Sequence, residues 1–160
     1  MPQKLIVDLE TLDLEHVVAE RAELRGYLRQ RGTFEMLDGV LHHDVENGLA
    51  IAFKEIREDD WWAPDHIPGR PIFPGALMIE SAAQLASYDY LKYRGGVAEG
   101  KFLGFGGTDG TRFRGIVSPP CRMLFVARVK RTRPTMFRYE TQGFVDGKLV
   151  FESDVIGVAV

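Results

Sequence analysis

The sequence predicts an α+β fold in which antiparallel strands are interrupted by one long buried helix, and three observations predict it. Residues 75–91 contain no interior Gly or Pro, and their Ala, Leu, Met and Ile residues recur on every face rather than on one stripe, the pattern of a helix enclosed by protein. Before that run, residues 34–41 and 49–56 are apolar stretches flanking Asn47-Gly48, a dipeptide suited to a hairpin turn. After it, residues 123–131, 136–145 and 149–160 alternate as antiparallel strands do, with Asp146-Gly147 as a second tight turn. Strands, one helix and then more strands imply a helix layered on a sheet. At 160 residues with 45% hydrophobic content, the chain suits a single domain, 1–160, with a sizeable core.

Taken in order, residues 8–31 are polar and helix-friendly, with leucines at Leu9, Leu12, Leu24 and Leu28, and they end near Gly32. They predict one or two short surface helices within a helical N-terminal extension, 1–31. The amino terminus carries acidic residues early and lacks a basic region followed by a long apolar run, so it is not a secretory signal, and a cytoplasmic protein is expected. Cys121 is the single cysteine, which rules out an intrachain disulfide framework and leaves no Cys cluster for zinc. The net charge of −3 hides an asymmetry: residues 101–160 hold 10 basic and 5 acidic side chains, and therefore carry +5. Such a field suits an acidic protein partner, although arginines scattered on solvated strands have the same composition.

The central helix, about 74–91, spans roughly 25 Å at about 1.5 Å per residue. Glu80, Gln84 and Asp89 interrupt it too often for a bilayer span. A buried helix that carries Glu80 must account for the carboxylate, because burial of an unpaired charge favours the neutral form; Glu80 is therefore a candidate acid. Pro74 suits the first helical turn, and Gly75 lets a ligand approach the free backbone N–H groups there. Those donors, at the positive end of the helix dipole, suit an oxygen that gains negative charge. His66, in the Pro/Gly loop just upstream, is the titratable base nearest to that helix start. A base, an acid and an oxyanion site fit proton abstraction beside a carbonyl followed by loss of a protonated leaving group.

Other features carry less. In residues 58–65, Trp61 and Trp62 read as packing residues and Asp65 as a solvated loop carboxylate. Residues 102–107 read as a strand, and the GFGGTDG that begins there is not a dinucleotide fingerprint, since no helix pattern follows to receive a pyrophosphate. His42 and His43 stand beside Asp44 and Glu46, but neighbours on a strand point to opposite faces, which disfavours a shared metal.

The segment His66-Ile67-Pro68-Gly69-Arg70-Pro71-Ile72-Phe73-Pro74-Gly75, followed by Glu80 and Gln84, resembles the FabZ-type (3R)-hydroxyacyl-[acyl carrier protein] dehydratases. That family's motif reads His-Phe-Pro-Gly-x-Pro-x-x-Pro-Gly with a Glu five residues after the last Gly. Gly107-Thr108-Asp109 and Arg112-Phe113-Arg114 parallel its Gly-Ile-Asp-x-x-Arg-Phe-Arg. The chain departs from the family where Gly39 replaces an arginine, where Asp65 replaces a glycine, and between Gln30 and Thr33, a segment in which only Arg31 and the following Phe34 are kept. The resemblance implies a hotdog fold, a curved antiparallel sheet wrapped around the central helix, and dehydration of (3R)-3-hydroxyacyl-acyl carrier protein to the trans-2-enoyl thioester in fatty acid biosynthesis. His66 would be the base and Glu80 the acid, with Gly75 (through its backbone N–H), Phe73 and Gln84 binding substrate and Arg112 and Arg114 meeting the carrier protein. Glu80, where the related isomerising family carries Asp, implies dehydration without double-bond migration. No cofactor, metal, nucleic acid or membrane is implied. The partners implied are the carrier-borne thioester and a second copy of the chain, in a homodimer with shared active sites and in some members a trimer of dimers. Two alternatives on the same scaffold are a non-catalytic acyl-binding or carrier-binding protein and an acyl thioesterase.

Overall fold

The long apolar run forms a helix because nothing inside it breaks one, and its small residues let a sheet close around it. The computed structural model describes residues 4–160. In chain order the strands are β1 (Ala19–Glu20), β2 (Gly39–Asp44), β3 (Leu49–Ile56), β4 (Leu103–Phe113), β5 (Cys121–Arg133), β6 (Met136–Val145) and β7 (Lys148–Ala159). A five-residue helix, α1 (Arg21–Arg25), follows β1, and the long helix, α2 (Gly75–Tyr93), separates β3 from β4. One antiparallel sheet takes the order β1-β2-β3-β5-β6-β7-β4. Helix α2 touches β3, β5, β6, β7 and β4. A single helix reaches five strands only if the sheet curls round it, and this is the hotdog architecture that the resemblance implied.

The two faces of the sheet follow the period-2 alternation of its strands. Met123, Phe125 and Ala127 of β5 point inward with Phe137, Tyr139 and Phe151, where they bury α2 residues such as Ala82, Leu85 and Ala86. Each large side chain so buried contributes about 1.5–3 kcal/mol. Leu124 and Val126 point outward and join Leu49, Ile51 and Phe144 in a second cluster. Ile6, Val7, Leu9, Leu12 and Leu14 cover that outer face. The Gln142 side chain fastens the cover, accepting from the Ile6 N–H (2.9 Å) and donating to the Lys4 carbonyl (2.9 Å).

The expected helical extension is thus mostly a strap. Its helical content is one 3-10 turn, Leu9–Thr11, and α1, and its middle adds strand β1 to the sheet edge beside β2. The first three residues of that extension lie outside the described residues. Leu9 and Leu12 serve the outer cluster while Leu24 and Leu28 serve the main core, a division that the leucine spacing alone did not express. The strap also accounts for Gly39: a Cβ there would lie 2.9 Å from the Phe53 ring and 3.1 Å from the Ala19 carbonyl oxygen, so β1 pairs closely only with a glycine.

Three other boundaries differ from expectation. Strand β2 starts at Gly39 rather than near Phe34, because residues 32–34 form a 3-10 turn held to α2. Strand β4 continues past Gly107 to Phe113, through two register shifts that absorb its Gly-rich stretch. Helix α2 runs to Tyr93. The turn at 146–147 has positive φ at both residues (50° and 74°), as a two-residue hairpin of this kind needs.

The C-terminal half of α2 carries a buried charge. Asp89 is fully buried; its Oδ1 lies 2.7 Å from His43 Nε2, its Oδ2 lies 3.2 Å from Arg94 Nε, and the Tyr139 hydroxyl also donates to it. Arg94 reaches on to the Val45 carbonyl (2.6 Å), so helix, β2 and β6 meet at one carboxylate. Burial opposes ionisation of Asp89, but the hydrogen bonds from His43, Tyr139 and Arg94 outweigh it and hold the carboxyl below its ordinary range. A carboxyl depressed on folding stabilises the fold above its unfolded value of 3.8, and that contribution is lost as pH falls through the folded value. Asp89→Asn is expected to cost about 3–5 kcal/mol at neutral pH. In urea unfolding measured across the acid range, the gap between wild type and variant should narrow as pH falls below the ordinary carboxylate value.

Candidate active site

The loop that carries His66 is anchored at both ends by aromatic packing. Trp62 and Phe73 are buried and meet edge to face with ring centroids 5.3 Å apart, and the Phe73 N–H donates to the Val117 carbonyl (2.8 Å). Between these anchors the chain turns repeatedly. The His66 N–H donates to the Trp62 carbonyl (2.9 Å), and the His66 ring closes the loop from the other side, with Nδ1 2.8 Å from the Ile72 carbonyl oxygen. A carbonyl can only accept, so Nδ1 carries the hydrogen and the neutral ring leaves Nε2 as a lone-pair acceptor. The imidazole is exposed, and its free nitrogen is therefore set as a proton acceptor on the protein surface. Asp65 is exposed, as expected of a loop carboxylate; the two tryptophans divide, Trp62 packing inside and Trp61 standing 49% exposed.

Phe73, expected to bind substrate, is 1% exposed and committed to Trp62. It supports the loop from beneath. Two residues on, α2 opens at Gly75 behind an N-cap, Pro74, that offers no side-chain acceptor. The backbone N–H groups of Leu77 and Met78 bond the Pro74 carbonyl, and among the described residues no acceptor takes those of Gly75 and Ala76. A Cβ at Gly75 would lie 2.7 Å from the Phe113 ring, so glycine allows β4 to press against the helix start. Two amide donors and the positive end of a 19-residue helix thus face one spot.

Glu80 lies in the second turn of α2, half-buried, and Gln84 Nε2 donates to its Oε1 (3.0 Å). Gln84, also expected to bind substrate, is 2% exposed, and its amide is otherwise taken up by the chain. Nε2 donates to the Phe34 carbonyl (2.7 Å) and Oε1 accepts the Met36 N–H (3.1 Å). One side chain thus fastens residues 34–36 to the helix and bonds the carboxylate one turn away, and it also stands in the wall of the cavity beside Glu80. The i, i+4 spacing of Glu80 and Gln84 was the visible signal for this contact; the partners at 34 and 36 had none. The free side of Glu80 opens on a cavity of about 140 Å³ walled by Ala83, Ser87, Leu103, Phe105 and Phe137 among others, and His66 is not part of that wall.

Several arginines of the basic second part of the chain are paired on the sheet. Arg114 forms a two-pronged pair with Glu152 (3.0 and 3.2 Å), Arg128 meets Glu140 (2.8 Å), and Arg138 meets Asp154 and Asp109 (both 2.8 Å). Arg112 is exposed and donates to the neighbouring Thr111 carbonyl (2.8 Å). Of the two arginines expected to meet a carrier protein, Arg114 is engaged within the chain.

One edge of the sheet is covered by β1 and the other, β4, is open. Strand β4 is 11 residues long, and it and its flanks expose Phe102, Phe105, Phe113 (53%) and Ile116 (62%). A long open edge with exposed aromatic side chains is a template for pairing with another chain.

The model of the FabA-like domain family matches residues 28–154. The 3-hydroxyacyl-[acyl-carrier-protein] dehydratase FabZ of Escherichia coli O9:H4 (strain HS) is 33% identical over 135 residues, which are 84% of this chain and 88% of that protein. The protein of the same name from Paramagnetospirillum magneticum is 34% identical over 123 residues, 77% of this chain and 76% of its own. Among solved structures, the dehydratase heterocomplex ApeI:P from Xenorhabdus doucetiae superimposes with a TM-score of 0.70 at 13% identity, over 86% of this chain and 90% of that one. A mutant thioesterase from Pseudomonas aeruginosa gives 0.63 at 14% identity, over 92% and 98%. At such identities these structures share the fold alone.

Because Gln84 is satisfied on all three contacts, Gln84→Leu is expected to lower kcat by about 10–100-fold through a mis-set Glu80 and to cost about 1–3 kcal/mol from the unmet groups at 34 and 36. Steady-state kinetics and urea unfolding of the same variant measure the two effects.

Proposed function

The chain belongs to the FabA-like family, and we propose that it works in the cytoplasm as a homodimer in which each active site takes His66 from one subunit and Glu80 from the other. The reaction is dehydration of 3-hydroxyacyl-acyl carrier protein to the trans-2-enoyl thioester in fatty acid biosynthesis, a hydro-lyase activity without double-bond migration. The observation that carries the proposed assembly is that His66 lies outside the wall of the Glu80 cavity while the β4 edge beside that cavity is unpaired and exposes Phe105 and Phe113. Pairing two β4 edges would continue the sheet across the subunits and bring the helix starts of both chains towards one cleft.

In this reading the thioester oxygen accepts from the free N–H groups at Gly75 and Ala76, which acidifies C2. Neutral His66, its tautomer set by the Ile72 carbonyl, removes the C2 proton at Nε2. Glu80, held by Gln84, gives its proton to the C3 hydroxyl, which leaves as water while the C2–C3 double bond forms. The proton gained by His66 and the one lost by Glu80 balance through solvent. A positioned acid or base contributes about 10²–10⁴-fold, and an oxyanion donor about 3 kcal/mol. The base on one subunit and the acid on the other make dimerisation a condition of turnover. A further assembly of three dimers is compatible with this site but not needed for it. Among the described residues, no helix is long and apolar enough to cross a membrane.

Arg112, the exposed member of the expected pair, is proposed to meet the acidic carrier protein. Arg112→Glu is expected to raise KM for a carrier-borne substrate about tenfold at low salt, and less as salt is added, while KM for a small thioester stays unchanged.

Turnover of a 3-hydroxyacyl thioester should fall by about 10²–10⁴-fold in His66→Ala and in Glu80→Gln, with both variants folded and dimeric. Mixing the two inactive variants tests the shared site. Re-formed heterodimers hold one intact site each, so a random mixture should recover about a quarter of wild-type activity. No recovery, with heterodimers present, would place both groups on one chain.

A further inference from the structure

Helix α1 lies before the stretch that the family model matches, and its two arginines close on that stretch. Arg21 and Arg25 are four residues apart and so share one face of the helix. Arg21 pairs with Asp38, and Arg25 forms a two-pronged pair with Glu35, whose side chain is only 9% exposed. Between those two acids, Met36 and Leu37 are buried. Helix α1 therefore grips both ends of the segment 35–38. Arg31 ties the helix down behind that grip, donating to the Arg25 carbonyl (3.0 Å) and to the Leu28 carbonyl (2.7 Å).

The gripped segment is the one that Gln84 bonds from α2. Gln84 Nε2 donates to the Phe34 carbonyl and Oε1 accepts the Met36 N–H, so the amide meets the backbone on either side of Glu35. The same Nε2 donates to Glu80 Oε1. From Arg25 to Glu80 the contacts are continuous: guanidinium to Glu35, the backbone around Glu35 to the Gln84 amide, and that amide to the acid. Arg21, Arg25, Glu35 and Gln84 surround a single cavity of about 10 Å³, which leaves the segment little space to shift into while the arginines hold it.

The two grips differ in what stands behind them. Asp38 keeps a second partner, the Glu55 N–H (2.7 Å), and so stays fixed without Arg21. The Glu35 carboxylate depends on Arg25, and that pairing is the main reason its ionisation lies below the ordinary carboxylate range. A carboxylate this deeply set and stripped of its cation turns towards water, and it takes the backbone at 34 and 36 with it.

We propose that Arg25 is a positioning residue for Glu80: by pinning Glu35 it fixes the backbone that sets the Gln84 amide, and through that amide the carboxyl that gives up the proton. The inference rests on the dehydratase reading for the role of Glu80 alone. The support comes from outside the family match, which begins at residue 28.

The test combines kinetics with hydrogen exchange on the full-length protein. With a 3-hydroxyacyl N-acetylcysteamine thioester, Arg25→Ala is expected to lower kcat about tenfold and to leave KM within about twofold. Glu35→Gln, which keeps the side-chain volume and loses the ion pair, should do the same, and Arg21→Ala should leave kcat within about twofold. In a Gln84→Leu background Arg25→Ala should lower kcat no further, because groups that act through one another are not additive. Unchanged kcat in Arg25→Ala and Glu35→Gln overturns the proposal. So does an equal fall in Arg21→Ala, or a fall that persists in full beside Gln84→Leu. Exchange needs no turnover: the Met36 amide, bonded to Gln84, should exchange about tenfold faster in Arg25→Ala while the Phe125 amide of β5 keeps its rate. Faster exchange at Met36 with no enoyl product from wild type sinks only the dehydratase reading, and enoyl product with Met36 exchange unchanged in Arg25→Ala sinks only the positioning proposal.

Discussion

A helix enclosed by a curved sheet can carry polar side chains only where each finds a partner, and the placement of α2 depends on this constraint. The Ser81 hydroxyl donates to the Leu77 carbonyl within the helix (2.6 Å). Gln84 reaches residues 34–36, and Asp89 reaches β2 and β6. Near the C-terminal end, Tyr88 and Lys92 converge on Glu23, which these hydrogen bonds hold below its ordinary range. Apolar packing tolerates some rotation of a helix about its axis, whereas bonds to fixed partners on several sides do not. The rotation so imposed turns Glu80 to its cavity and Gly75 to the Phe113 ring of β4.

The two halves of the site are each made rigid by short-range means. His66 is held by a carbonyl six residues away, between two aromatic anchors, and Glu80 by an amide one helical turn away. Neither half needs the other to take its shape. In the proposed dimer this suits catalysis, since groups set before association need little rearrangement when the subunits meet. The open β4 edge, with its exposed phenylalanines, is where association would satisfy both the unpaired backbone and the apolar surface.

The segment before the family match adds a strap that closes the outer sheet face and the β2 edge. Its effects reach into the family region. Gly39 stands where β1 needs close approach, and the Arg21 guanidinium, just past β1, pairs with Asp38. Departures from the family pattern at the start of the sheet are therefore consequences of a neighbour that the pattern does not include.

Local physics was legible in the sequence. An uninterrupted apolar run with small residues reads as a buried helix, Asp146-Gly147 can readily take positive φ, and His66, Pro74, Gly75 and Glu80 stand close enough in sequence to be read together as candidate base, amide donors and acid. The resemblance then supplied the fold and the reaction. What only the tertiary structure decided are the contacts made at long range. Gln84 meets a backbone 48 residues away as well as Glu80, and His43 meets Asp89 across 46 residues. Phe73 turns inward to Trp62, and Arg114 is claimed by Glu152. No spacing rule reaches that far, because which side chains meet depends on how the sheet curves around the helix.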